Sequence, residues 1–251
     1  MKNNIKYIFG YHSVLSILQS TAPVKVKEIY LQHKQTNKRQ LQVIAIAEEL
    51  GITIKYFSSK YFNNLVNSIH HQGVIAAIEY RDCYTEEYLM ALIKHEVNPS
   101  FFFLILDGIQ DPHNLGACLR TANAAGVDAV IITRNQSCSI TPTVYKTASG
   151  AIGNTPIIKV TNLARTIEFL KNAGIWIYGT TEKSENDIYH TILKKPLAII
   201  FGAEGSGMRR LTQNYCDTTV NIPMMGNVQN LNVSVAVGIF LFEVNRQQLK
   251  A

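Results

Sequence analysis

The chain has 251 residues, 47% of them apolar and 17% charged, with a net charge of +6. Such a length admits one large domain or two modest ones, and a fully folded chain of this size buries roughly three quarters of the surface its unfolded form exposes. No apolar run approaches the ~18 residues of a membrane span, the first ten residues lack an apolar signal core, and Cys83, Cys118, Cys138 and Cys216 form no C-x-x-C pair, so a cytoplasmic protein with free thiols, no membrane and no metal is expected.

Residues 1–60 hold nine Lys/Arg against three acids, whereas residues 61–251 hold fifteen of each sign. The positive excess therefore sits in the N-terminal quarter, densest from Lys25 to Arg39. A local excess of this kind attracts a polyanion without reading its sequence; the plainer reading is a solvated lysine-rich face.

Residues 5–80 carry a short α/β pattern. Helices are predicted over Tyr11–Ser20, over Arg39–Leu50 with Gly51 as the stop, and near Tyr61–Asn67; strands are predicted over Glu28–Leu31, Ile52–Phe57 and 74–80. The charged stretch 81–100, ending in Asn98-Pro99-Ser100, reads as a linker between a domain at 1–80 and a second at 101–251. From Phe101 onward strands and helices alternate. Predicted strands are Phe101–Leu106, Ala129–Thr133, Ile157–Val160, Ile175–Gly179, Leu197–Phe201 and Thr218–Ile222, with helices notably over Leu115–Ala125, Leu163–Ala173 and Leu231–Gln248. The runs FFFLIL and LAIIF suit strands covered on both faces, and the alternation specifies a parallel α/β sheet.

Familiar nucleotide sites are excluded by spacing. The first turn, DGIQDPHNLG, sets Gly108 and Gly116 too far apart for a G-x-G-x-x-G fingerprint, and no G-x-x-x-x-G-K-[ST] or G-x-S-x-G occurs. Polar residues collect instead in three segments: LDGIQDPHNLGACLRTANAAG (106–126), IIFGAEGSGM (199–208) and NIPMMGNVQNLNVSVAVGIFLFE (221–243). Each begins as a strand and turns sharply into Gly, Asn, Pro or Ser, so the polar groups fall at strand C-termini, where open α/β sheets hold their ligands. Asn114 stands where a helix begins and suits an N-cap; Arg120, six residues on, suits a surface cation. Glu204 lies between Gly202 and Gly205, and Asn232 and Ser234 suit a helix start.

The order and content of the three segments resemble the SpoU/TrmH-like family of RNA 2'-O-ribose methyltransferases. FGYHSVLSIL (9–18) and HQGVIAA (71–77) extend the likeness to that family's N-terminal RNA-binding domain. The resemblance implies a parallel-sheet α/β domain with a deep trefoil knot of SPOUT type, preceded by a small α/β domain like ribosomal proteins of the L30e type. It implies S-adenosylmethionine as methyl donor, held largely by main chain at Gly202, Ile222 and Leu231, with Met224 and Thr180 as weaker contacts. It implies catalytic roles for Asn114, Arg120, Glu204, Asn232 and Ser234, with Asn230 standing where members often have Ser. Lys25, Lys27, Lys34, Lys38, Arg39, His12 and His71 become RNA-binding candidates.

Activity implied by the resemblance is methylation of a guanosine 2'-hydroxyl in large-subunit ribosomal RNA by a homodimer, with the apolar last helix, through Val233, Val237, Phe240, Leu241 and Val244, a candidate interface; the plainer reading of those residues is core packing. The alternatives are the same chemistry on transfer RNA and a non-catalytic RNA-binding assembly factor. Arg120 is the family's proposed base. A guanidinium normally keeps its proton, so a cation stabilising the emerging alkoxide, with Glu204 or phosphate taking the proton, is the physically easier assignment.

Overall fold

A computed structural model describes residues 5–19, 25–33, 38–66, 71–79, 83–95 and 100–249. Contacts divide the chain into two compact units, one of residues 1–82 and 140–154, the other of 83–139 and 155–251.

In the first unit, β1 (Ile5–Phe9), β2 (Lys25–Gln32), β3 (Thr53–Phe57) and β4 (Val74–Glu79) form a sheet of order β1-β4-β2-β3. β4 lies antiparallel to both its neighbours, while β2 and β3 are parallel. Val74 to Ile78 are all buried because β4 is central and covered on both faces. Helices α1 (Tyr11–Leu18) and α2 (Lys38–Glu49) bring Val14, Ile17, Val43 and Ala47 into the core. α3 (Ser59–Val66) adds Phe62 to a separate cluster with Tyr30, Ile75 and Ala77. α2 stops at the predicted glycine: Gly51 takes φ +66°, and Ile52 N–H then closes onto Ala47 C=O at 2.8 Å. The sequence reading omitted β1, and it omitted α6 (Pro142–Ala148) and α7 (Ala151–Asn154), which belong to this unit although they follow the second unit's early strands.

The second unit holds a six-stranded, wholly parallel sheet: β5 (Phe102–Leu106), β6 (Ala129–Thr133), β7 (Ile157–Val160), β8 (Trp176–Thr180), β9 (Leu197–Phe201) and β10 (Thr218–Val220), in the order β10-β8-β9-β5-β6-β7. Every residue of β5, β6 and β9 is buried, which explains their unbroken apolar runs. Beyond β5, α5 (Pro112–Ala124) packs against α10 (Val233–Gln248), and Phe240 of α10 meets the Phe201 ring edge-on at 5.4 Å. A second cluster joins the sheet to α8 (Leu163–Asn172) and α4 (Glu86–His95). The α4 helix lies within the stretch read as a linker; its Leu89 is buried because that face packs on the sheet. Asn98 and Pro99 lie outside the described residues.

The chain leaves β5 toward β6 and β7, returns to β8, and only then inserts β9 between β8 and β5. This reversal places the C-terminal ends of β5 and β9 side by side, with Leu106 paired to Phe201. A crevice outside that point is where a doubly wound sheet receives a ligand.

Candidate active site

Beside that point opens a cleft of about 610 Å³, floored by the ends of β8, β9 and β10 and by the start of α10; its lining takes no residue from β5 or the loop that follows it. Its walls come from the turn after β9, the segment after β10 and residues 180–183 after β8. The turn after β9 depends on glycine. A Cβ on Gly202 would lie 2.1 Å from Gly207 C and Met208 N, so only a residue without one lets the turn fold back on itself. Ala203 N–H then donates to Gly207 C=O at 3.1 Å, and Gly207 N–H returns a bond to Ala203 C=O at 2.9 Å. These bonds hold Glu204 at the turn's tip.

Four of the five expected catalytic residues are brought together. The Asn114 amide nitrogen donates to Glu204 Oε1. The Asn232 amide nitrogen donates to Asn114 Oδ1 at 3.0 Å, and Asn232 Oδ1 accepts from the Ser234 backbone N–H at 2.9 Å and from its hydroxyl at 2.6 Å. A continuous hydrogen-bonded chain thus ties together the three loops that follow β5, β9 and β10. Sequence reading offered Asn114 as an N-cap, but Asp111 fills that place, accepting from His113 N–H at 3.1 Å and Asn114 N–H at 3.4 Å, with Pro112 in the first helical position. Asn114 is thereby left to make loop-to-loop bonds. Asn232 is the α10 N-cap and joins the chain as well.

Arg120 differs. It stands exposed on α5, outside the cleft wall, and makes no hydrogen bond or ion pair to another described residue. Gly202, Ile222, Leu231, Met224 and Thr180 all line the cleft, and Asn230 does too; the Thr180 hydroxyl donates to Ile200 C=O at 2.9 Å.

Two features escaped the sequence reading. Asp107, directly after β5, is 1% exposed; it accepts from the Thr212 hydroxyl at 2.9 Å and faces Arg209 Nη2 at 3.4 Å, and Arg209 also donates to Gln136 Oε1 at 2.5 Å. A buried carboxylate so paired clamps the loop after β5 to the segment after the glycine turn. The available signal was an acid placed immediately behind an apolar strand. Asn221 lines the cleft with a buried Oδ1 that has no hydrogen-bond partner among the described residues. Burial, reinforced by the nearby Glu204 charge, pushes the Cys118 thiol up to about 12, so this sulfur stays protonated and offers no nucleophile beside the site.

Residues 101–242 match the sequence profile of the SpoU rRNA Methylase family, and residues 7–82 match the profile described as RNA 2'-O ribose methyltransferase substrate binding. The chain belongs to the SpoU rRNA methylase family. A relative in Photobacterium profundum, named 23S rRNA (guanosine-2'-O-)-methyltransferase RlmB, is 45% identical over 96% of this chain and 97% of its own. Among solved structures, one described as an RNA 2'-O ribose methyltransferase superposes with a TM-score of 0.81 at 26% identity, covering 98% of this chain and 90% of that one. The SpoU methyltransferase AviRb from Streptomyces viridochromogenes, solved in complex with the cofactor AdoMet, shares the fold with a TM-score of 0.81 at 19% identity, over 98% and 91% of the two chains. The SpoU profile spans all three polar segments, and every residue that lines the cleft falls within it; the second and third segments supply much of that lining, while the first reaches it through the Asn114 bonds to Glu204 and Asn232.

Among the described residues no helix is long and apolar enough to cross a membrane, and no group of three or more His, Cys, Asp or Glu could hold a metal ion.

Proposed function

We propose that this protein transfers the methyl group of S-adenosylmethionine to the ribose 2'-hydroxyl of a guanosine in 23S ribosomal RNA. The observation that carries this reading is near-full-length identity of 45% to a relative named for that reaction, together with a cleft built from the segments of the family profile.

The cleft suits the methyl donor. Its volume of about 610 Å³ lies within the common range for small-molecule sites, roughly 300–1,000 Å³. Gly202 leaves a backbone cradle that any Cβ would fill, Ile222 and Leu231 supply an apolar slot, and the unpartnered Asn221 Oδ1 offers an acceptor to an amino group. When bound, the sulfonium supplies an electrophilic methyl group.

This chain's residues have the remaining tasks: aligning the 2'-oxygen, removing its proton and steadying the charge that develops. Alignment alone removes much of such a barrier. Asn114 and Asn232, each bonded on both sides, fix the Glu204 carboxylate at the cleft wall. We assign Glu204, or an RNA phosphate, as proton acceptor, and Arg120 as the cation that stabilises the emerging alkoxide. Arg120 stands exposed with no described partner, and this reading completes the site across a homodimer; Val233, Val237, Phe240, Leu241 and Val244, expected at that interface, are core residues of this chain, which leaves Val235 and Phe242 as the exposed apolar residues of α10. The same reading carries a trefoil knot in the C-terminal chain, an L30e-like fold for the N-terminal unit, and RNA contacts from Lys25, Lys27, Lys34, Lys38, Arg39 and His12; Lys34 and the Lys25 side chain lie outside the described residues, and His71, expected among these contacts, is buried with both ring nitrogens bonded within the protein.

Methyl transfer from labelled S-adenosylmethionine to unmodified 23S and transfer RNA, followed by mapping of the modified nucleotide, tests the proposal. A 2'-O-methylguanosine in 23S RNA is expected. Label confined to transfer RNA, or no transfer at all, would refute it.

A further inference from the structure

The N-terminal unit contains a cavity of about 520 Å³ at the end of its sheet, walled by Tyr11, Arg39, Ser59, Asn63, His71 and Gln72 among others. Its hydrogen-bonding character follows from two backbone donors. Gly73 N–H donates to His71 Nδ1 at 3.0 Å, so the ring's proton must sit on Nε2. The His71 Nε2–H therefore donates to Asn63 Oδ1 at 3.0 Å, and the Asn63 NH₂ is the half of that amide left over. Burial lowers the His71 pKa, favouring this neutral ring. In the same way Tyr11 N–H claims Gln72 Oε1 at 3.0 Å and leaves the Gln72 NH₂.

Neither NH₂ group bonds another described residue. Arg39 adds a guanidinium 5.5 Å from the Tyr11 ring centroid, and no carboxylate stands among the described residues of the wall. Beside the Gln32 amide and the Ser59 hydroxyl, which can each donate or accept, the wall thus presents the Asn63 and Gln72 NH₂ groups and the Arg39 guanidinium as donors, the last with a positive charge.

Stacking surfaces adjoin it in the chain. Gln32, in the wall, precedes His33, whose ring stacks on Tyr56 at 5.7 Å; Ser59, also in the wall, lies between Tyr56 and Tyr61. Tyr56 is 49% and Tyr61 41% exposed, and Lys38 and Lys60 are exposed as well. Exposed rings interleaved with cations are the means by which proteins hold successive unpaired bases, and sequence-specific RNA recognition reads the edges of such bases.

We propose that this cavity is a reading site for one unpaired nucleotide of the RNA substrate, selective for a base with a carbonyl acceptor, uracil O4 or guanine O6, over cytosine, which has its N4 amino donor in that place. The proposal rests on the RNA-modifying activity proposed above and names how that substrate is selected. The full-length chain is titrated by fluorescence anisotropy against labelled decamers of uridine and of cytidine. The uridine decamer is expected to bind about ten-fold or more tightly, the discrimination typical of a well-placed base contact.

Asn63→Asp and Gln72→Glu each retain an oxygen for the His71 or Tyr11 hydrogen but exchange the NH₂ for a second oxygen; both are expected to abolish the preference. Equal binding of the decamers by the wild-type chain overturns the proposal. So does an unchanged preference in both variants when their circular-dichroism unfolding curves match wild type. If either amide change disturbs folding, Arg39→Gln on an exposed side chain decides: a smaller ratio of uridine to cytidine affinity supports the cavity, and an unaltered ratio, with both decamers weakened alike or neither, overturns it. Methyl transfer to 23S RNA by the wild-type chain is measured alongside. Its absence overturns the activity while the decamers still decide the cavity; its presence without discrimination overturns the cavity alone.

Discussion

The two polar cavities are built on opposite plans. The cleft of the second unit stands on strands that are buried throughout, and its wall is backbone turned back on itself at Gly202. The N-terminal cavity lies where β2 ends at Gln32 and β4 begins at Val74, and much of its wall is side chains, Asn63, His71, Gln72 and Arg39 among them. A reaction that needs one oxygen in line with one methyl group gains from a rigid cradle. Gripping a long polyanion calls for charge and adaptable side chains at the surface. On the proposed reading, the contrast makes alignment in this protein a matter of main chain and recognition a matter of side chains.

If that division is right, the largest effect on turnover comes from a side chain with almost no structural role. Arg120→Ala is expected to lower kcat by roughly 10²–10³-fold, as loss of a donor to a developing oxyanion does, with the melting temperature unchanged because the residue is exposed and without a described partner. Arg120→Lys should recover part of the loss in steady-state kinetics; activity equal to that of alanine would remove the purely electrostatic role. Next comes the cradle itself. Gly202→Ala forces its Cβ against the Gly207–Met208 peptide, so donor affinity measured by calorimetry is expected to fall about ten-fold or more, since an extra carbon in a packed site costs about 1–3 kcal/mol. Undiminished affinity would show that the turn does not hold the donor.

The N-terminal side of the contrast is sharpened by pH. Burial depresses the His71 pKa below its unfolded value of about 6.5. Between the two values the unfolded chain binds more protons, so stability rises with pH there. The contribution is complete above about pH 6.5 and is lost as pH falls through the lower folded value. Urea unfolding at pH 5, 6 and 7 should therefore show a slope that His71→Gln flattens. Smallest of all is Lys55→Ala, which removes a 2.6 Å ion pair to Glu28 whose partners are 47% and 28% exposed. The Lys55 hydrogen bond, then that of Tyr30, holds the Glu28 carboxyl below its usual range. Even so, a surface pair is worth at most about 1 kcal/mol, and a larger loss would mark this face as more than a solvated surface.

Much of the second unit was legible in the sequence. Strands such as FFFLIL and LAIIF advertise burial on both faces through composition alone, and their turns follow from Gly, Pro and Asn. Helix α4 was not legible, because its charged first turn, Glu86 and Glu87, reads as linker until Leu89 is found packed on the sheet. The segment 140–154 could not be assigned either, since its membership in the N-terminal unit rests on contacts distant in sequence. At the site, all five expected donor-binding residues line one cleft. Asp107, Arg209 and Asn221 were missed because a buried ion pair and an unpartnered amide exist only after distant loops have met.

The sequence by itself determined the six strands of the second unit and three of the four in the first, the main turns and which three segments carry polar groups, since these follow from local propensity and hydrophobic period. Only the tertiary structure decided that β9 enters between β8 and β5, that Asn114 yields the N-cap to Asp111 and reaches Glu204 instead, and which half of the Asn63 amide faces the N-terminal cavity. Those outcomes depend on which donors and acceptors remain unspent once every buried backbone group has found its partner, and that count closes only in the folded chain.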